Sequence, residues 1–187
     1  AEASYRQAIT LKPDFTEAYN NLGVVSQKLD KLKEAEASYR QAITLKPDFT
    51  EAHNNLGVVL QKLGKLKEAE ASYRQAITLK PDFTEAHNNL GSILQELGIL
   101  DGAKASYRQA IALKPDYAET YNNLGSILKE LSELKEGEAS YRQAITLKPD
   151  FTEAYNNLGV VLRELGRLDD AEASYRQAIT LKPDYAE

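Results

Sequence analysis

The side chains with the widest chemical reach in this sequence are its two histidines, His53 and His87, 34 residues apart. Two imidazoles could share a metal ion or move a proton, and the adjacent acids Asp169 and Asp170 could assist either task. The wider pattern argues against both. The histidines fall on one recurring position that holds Tyr19, Tyr121 and Tyr155 elsewhere, so the position calls for a flat ring packed at a helix seam. Equivalent positions on stacked helices lie about 8–10 Å apart or more, while a zinc ligand sits ~2.1 Å from its metal. Asp169 and Asp170 open a helix, where acid favours the dipole. No glycine-rich phosphate loop and no nucleophile beside a base is present. Catalysis needs unlike groups converging on one site, whereas here each polar group is multiplied along the chain. No catalytic residue, metal or cofactor is therefore expected.

Amides are the second group. Asparagine pairs stand at Asn20 and Asn21, Asn54 and Asn55, Asn88 and Asn89, Asn122 and Asn123, and Asn156 and Asn157, each directly before Leu-Gly. Asparagine is a mediocre helix former, so its repetition at mid-helix needs another reason. An amide carries donors and acceptors together and can pair with a peptide group whatever side chains the ligand has. Gln27, Gln61, Gln95, Lys129 and Arg163 lie on the same helical face. The competing reading is that these asparagines bond neighbouring helices to each other. Charge along this face is graded: Lys28 and Lys62 give way to Glu96, Glu130 and Glu164.

The elements that must position these residues follow from periodicity. Prolines stand at 13, 47, 81, 115, 149 and 183, always 34 residues apart. A 34-residue unit falls below the ~40 residues at which a domain ordinarily needs extra support, so the units must stack into a linear array. The frame is a lone second helix over 1–15, full repeats over 16–49, 50–83, 84–117, 118–151 and 152–185, and the start of another at 186–187.

Within the unit 50–83, Ala52, Leu56, Val59 and Leu63 form one helical stripe. Asp48 and Glu51 are expected to form a capping box at its start, and Gly64 to end it. A second helix turns Ala69, Tyr73, Ala76 and Ile77 inward and stops before Pro81. Its outer face carries Glu70 and Arg74, an i,i+4 pair in the favourable order. The pair recurs as Glu2/Arg6, Glu36/Arg40, Glu138/Arg142 and Glu172/Arg176, and Lys104/Arg108 breaks it.

Composition sets the outer limits. The net charge of −5 argues against nucleic acid, which requires a gathered surplus of Lys and Arg. No apolar run approaches the ~18 residues of a membrane span, and no targeting pattern opens the chain, so the cytoplasm is the expected compartment. Cysteine is absent, which removes disulfides and thiolate metal sites. The chain lacks methionine and opens within a repeat, so it reads as a piece of a longer protein. Single departures such as Ile99, Gly102, Lys104, Ser132 and Gly137 suggest duplication followed by drift.

In its aromatic, Leu-Gly, aliphatic, Ala, aromatic, Ala and Pro positions the chain resembles the tetratricopeptide-repeat family. In one unit these fall on His53, Leu56, Gly57, Leu60, Ala69, Tyr73, Ala76 and Pro81. Departures are Ser26 at the position of Leu60, Gly137 at that of Ala69, and the two histidines. The resemblance implies an all-α solenoid, a right-handed superhelix of stacked antiparallel helix hairpins. It implies a non-enzymatic scaffold whose first helices line a concave groove for a protein or an extended peptide. The asparagines are similar to the ladder in the repeat domain of O-linked N-acetylglucosamine transferase, which makes Asn21, Asn55, Asn89, Asn123 and Asn157 the first candidates for ligand contact. The clamp with which another branch of the family grips C-terminal carboxylates is absent, since its basic positions hold Asn20, Glu85 and Asn89. Two further expectations stand beside this one. The array could be the substrate-docking segment of a larger enzyme such as a glycosyltransferase. It could also self-associate through open repeat ends, by stacking or by exchanging terminal helices.

Overall fold

The computed structural model describes residues 1–182. Pro183, Ala186 and Glu187, on which the sixth motif proline and the start of a further repeat were placed, lie outside the described residues. Eleven helices and no strand are found among those described: α1 (Glu2–Leu11), α2 (Thr16–Lys28), α3 (Leu32–Leu45), α4 (Thr50–Lys62), α5 (Leu66–Leu79), α6 (Thr84–Glu96), α7 (Leu100–Leu113), α8 (Ala118–Glu130), α9 (Leu134–Leu147), α10 (Thr152–Glu164) and α11 (Leu168–Leu181). They divide into two compact units, Ala1–Leu97 and Gly98–Glu187. Each unit is an all-α solenoid segment in which every helix packs on the next in sequence, and in which α2 touches α4, α4 touches α6, and α8 touches α10.

The hairpin is built by small residues facing a large one. Ala52, Val59, Ala69, Tyr73 and Ala76 are fully buried, and Leu56 and Leu60 nearly so. The other unit repeats the pattern with Tyr141, Leu158, Val161, Leu162 and Ala171, against which Leu134, Ile145, Leu165 and Tyr175 pack. A buried aromatic of this size removes roughly 150–250 Å² from water, which is why the tyrosine recurs at the centre of each hairpin.

Turn chemistry fixes the boundaries. Gly64 takes φ 73° and closes α4 with two bonds, Lys65 N–H to the Leu60 carbonyl at 2.9 Å and Gly64 N–H to that of Gln61 at 2.9 Å, the 6→1 and 5→2 pattern of a Schellman end. The same left-handed position is held by Asp30 at φ 57° and Ser132 at φ 61°, where a Cβ is unfavourable.

The expected capping box does not form. α4 begins at Thr50 with Phe49 as its N-cap and no side-chain cap bond. Asp48 instead sits inside a turn that runs from Lys46 to Phe49, closed by Phe49 N–H to the Lys46 carbonyl at 3.1 Å, with proline at the second position as such turns favour. The Lys46 ammonium lies 5.3 Å from the Phe49 ring centroid, and the same contact recurs at Lys12/Phe15, Lys80/Phe83, Lys114/Tyr117 and Lys148/Phe151. The turn pulls the chain one residue past the acid, so an aromatic residue caps the helix.

Candidate ligand-binding face

The paired asparagines of the first helices are bonded from one repeat to the next. Asn55 Nδ2 donates to Asn20 Oδ1 at 3.2 Å, Asn89 Nδ2 to Asn54 Oδ1 at 3.1 Å, and Asn157 Nδ2 to Asn122 Oδ1 at 3.1 Å. The second asparagine of one repeat thus reaches back to the first asparagine of the repeat before it. Asn54 and Asn122 are buried, while Asn20, Asn21, Asn55, Asn88, Asn89, Asn123, Asn156 and Asn157 are half-buried. Asn122 also donates to Glu153 Oε1 at 3.2 Å. An amide offers two N–H donors and two acceptor lone pairs, so each rung uses a fraction of the capacity and fixes the plane of what remains.

The glutamines are tied inward. Tyr39 donates its hydroxyl to Gln27 Oε1 at 3.2 Å and Tyr73 to Gln61 Oε1 at 3.3 Å, closing the two helices of a hairpin across their seam. Gln61 Nε2 then reaches Ser92 Oγ at 3.4 Å and the Glu96 carboxylate. Gln95 is half-buried on α6. In the second unit the equivalent residues are Lys129, half-buried, and Arg163, exposed, and neither can accept from a hydroxyl. There Ser126 lies near enough to Tyr141 to offset part of the rise that burial causes in its hydroxyl pKa, at a position that holds Val24 and Val58 in the two hairpins whose tyrosine bonds glutamine. Sequence reading did not find the tyrosine–glutamine bonds that close these hairpins. Burial pushes the Tyr39 hydroxyl up to about 12 and raises those of Tyr73 and Tyr141 as well.

The remaining candidates take structural partners. His53 Nε2 lies 2.9 Å from the Pro47 carbonyl and His87 Nε2 lies 2.9 Å from that of Pro81, which places the ring proton on Nε2. Among the described residues no group of acids and histidines could hold a metal ion. Asp170 pairs with Arg167 at 2.7 Å at the start of α11. On the second helices the expected Glu/Arg pairs all form. They extend between repeats through Arg6 to Glu34, Arg40 to Glu68, Lys31 to Glu2, Lys65 to Glu36 and Arg167 to Glu138. Lys104, which breaks the pair, bonds Glu133 at 2.8 Å instead. The hydrogen bond from Lys65 chiefly holds the Glu36 carboxyl below its ordinary range, against the opposing effect of partial burial.

A family model described as tetratricopeptide repeat matches residues 50–83 and 152–185, and a second, described as TPR repeat, matches 28–64, 93–132 and 125–166. The chain belongs to the tetratricopeptide-repeat family. The repeat is a scaffold for contacts between proteins, and neither matching model describes a catalytic domain. No curated protein matches the chain in sequence. Among solved structures, MamA is 24% identical over 88% of this chain and 96% of its own, with a TM-score of 0.82. MamA from Desulfovibrio magneticus RS-1 is 18% identical over 92% and 97%, with a TM-score of 0.84. YrrB, described as a TPR protein with an unusual peptide-binding site, is 22% identical over 99% and 95%, with a TM-score of 0.81. At these identities the likeness is one of fold. No helix of the described residues is long and apolar enough to cross a membrane.

Proposed function

We propose that this chain is a protein-interaction scaffold whose first-helix face binds an extended peptide by its main chain. The observation that supports the reading is the set of rungs Asn55–Asn20, Asn89–Asn54 and Asn157–Asn122. Each rung holds an amide in a fixed plane while leaving donor and acceptor capacity beyond the rung. Amides oriented in advance meet a peptide backbone with little further loss of freedom, which is where preorganised sites gain affinity. The five second asparagines, Asn21, Asn55, Asn89, Asn123 and Asn157, are the principal proposed contacts. The first asparagines stand beside them, and Lys129 and Arg163 offer cations in the second unit.

Selection of a random peptide library on the immobilised protein tests the reading. Recovered peptides should bind as extended chains and tolerate side-chain changes better than N-methylation of alternate peptide bonds. Peptides that bind unchanged after N-methylation throughout would refute main-chain recognition. Substrate docking for a larger enzyme is the same mode of binding placed in a longer chain.

A further inference from the structure

Consecutive second helices are separated by a groove whose floor is the first helix between them. The groove of α9 and α11 has a volume of about 500 Å³ and is lined by Arg142 and Ile145 of α9, Tyr155 and Leu158 of α10, and Gln177 of α11. Leu158 is buried and gives an apolar floor. Thr146 and Ser174 also line it, but their hydroxyls donate to the Arg142 and Asp170 carbonyls of their own helices. Arg142 is the only charged residue of the lining.

In the other grooves within each unit the equivalent arginine reaches across to a glutamate of the next second helix. Arg6 meets Glu34 at 2.7 Å, Arg40 meets Glu68 at 2.6 Å and Arg108 meets Glu136 at 2.8 Å. Arg6 and Arg40 do so while also bonding the glutamate one turn before them. Across from Arg142 the acid is Asp170, shorter by a methylene and held by Arg167 at 2.7 Å. Arg167 stands where Lys31 and Lys65 stand in the first unit. Its planar fork takes Glu138 and Asp170 together, whereas Lys65 takes Glu36 and leaves Glu68 to Arg40. Arg142 bonds Glu138 through Nε at 2.9 Å and has no second carboxylate among the described residues. Its Nη groups are left beside the apolar floor.

We propose that the α9–α11 groove is a second docking site, and that its occupant is an acidic segment of a partner protein, a glutamate followed by an aliphatic residue. The incoming carboxylate accepts from Arg142 as that of Glu68 accepts from Arg40, a charge-assisted bond. The aliphatic side chain packs on Ile145 and Leu158, and the exposed Gln177 amide meets the segment's backbone. The partner thus supplies the carboxylate that the chain supplies for itself in the other grooves. The site shares no residue with the asparagine rungs, so it stands or falls independently of main-chain recognition on the first-helix face.

Arginine side-chain NMR on the whole chain tests this, since there are only eight arginines and Arg142→Gln identifies the signal concerned. The probe is the blocked tetrapeptide Ala-Glu-Leu-Ala, added to about 10 mM, a range that covers one ion pair with one apolar anchor. The Arg142 signal should shift saturably. Glutamine in place of the peptide's glutamate, or alanine in place of its leucine, should each weaken binding about threefold to tenfold. The double variant Arg167→Lys, Asp170→Glu restores the residues of the α3–α5 groove, so its own glutamate should take Arg142 and weaken the peptide about threefold to tenfold. That variant carries only residues already tolerated at Lys65 and Glu68, so a folded protein is expected. An Arg142 signal that does not move, or a double variant that binds the peptide as wild type does, would overturn the proposal. Inorganic phosphate shifting the signal as strongly as the peptide would overturn it too, by showing an anion contact with no place for the aliphatic side chain.

Discussion

Gly57 lies so close to Tyr73 that a β-carbon on it would stand 2.6 Å from Cε1 of the ring. The tyrosine is fully buried and has no direction in which to yield. The pair recurs as Gly23 with Tyr39, Gly125 with Tyr141 and Gly159 with Tyr175. The two helices of a hairpin can approach only because the glycine lacks a side chain, and the tyrosine fills the remaining space.

Gly57→Ala should therefore destabilise the protein by about 1–2 kcal/mol, the cost of overpacking less the helical preference of alanine. Gly137→Ala should act in the opposite direction. The nearest atom to its added carbon is the Gly125 carbonyl oxygen at 3.4 Å, an ordinary contact, and alanine in mid-helix gains about 0.5–1 kcal/mol over glycine. Urea midpoints of both variants against wild type check the pair; a Gly57→Ala protein as stable as its parent would refute the steric account.

Ser26 is completely buried, and its hydroxyl has no hydrogen-bond partner. The equivalent positions hold Leu60, Leu94, Leu128 and Leu162. An unsatisfied buried hydroxyl costs about 1–3 kcal/mol, so Ser26→Ala should raise stability by about 1 kcal/mol. Thermal denaturation should show a higher midpoint, and a lower one would mean that the hydroxyl contributes to packing.

Asp30 and Ser132 occupy the left-handed position that Gly64, Gly98 and Gly166 fill elsewhere. Replacing either with glycine should stabilise by about 1 kcal/mol, since a side chain there costs more than the added freedom of the unfolded chain. No gain in either variant's denaturation midpoint would show that the aspartate and serine side chains offset the strain locally.

Replacing Asn55, Asn89 and Asn157 with alanine should lower both stability and peptide affinity, because their rungs join repeats as well as facing the proposed ligand. Each lost bond amounts to about 0.5–1.5 kcal/mol in either measurement. Asn20→Asp separates the two effects. It keeps an oxygen that accepts from Asn55, while replacing the amide donor with a charged acceptor. Stability should be nearly unchanged while affinity for a selected peptide falls about threefold to tenfold. Unchanged affinity in a folded Asn20→Asp protein would confine that amide to a structural role.

Stability should fall at alkaline pH. Tyr39 is raised to about 12 by burial, and Tyr73 and Tyr141 are raised with it. The unfolded chain exposes these groups at their ordinary value near 10, so the folded state holds its protons to higher pH. Their contribution to stability is fully present below about pH 10 and is lost as pH rises toward about 12, at roughly 1.4 kcal/mol per pH unit for each group. Stability measured by urea across this range should fall steeply, and tyrosinate absorbance should show a late-titrating class that appears only on unfolding. A single class titrating near the ordinary value in the folded protein would refute the burial argument.

Period, hairpin and inward residues were all legible in the chain. Spacing alone places Ala52, Leu56, Val59, Ala69, Tyr73 and Ala76 on buried faces, because a helix converts sequence spacing into direction. Gly64 was legible as a helix end for the same local reason, since only its own φ angle matters. The Glu/Arg pairs were legible too, each lying within one helix.

Partners that lie in other helices were set by packing. Asn55 reaches Asn20 35 residues away, and Tyr73 reaches Gln61 across the hairpin. Those bonds depend on how far each helix is rotated and shifted against its neighbour, which packing of the whole hairpin sets. Even the start of α4 escaped the sequence pattern, because the Lys46–Phe49 turn moved the cap from Asp48 to Phe49. Asparagine before Leu-Gly announces an amide at a fixed place on a helix, and only the stacking of one repeat on the next decides what that amide holds.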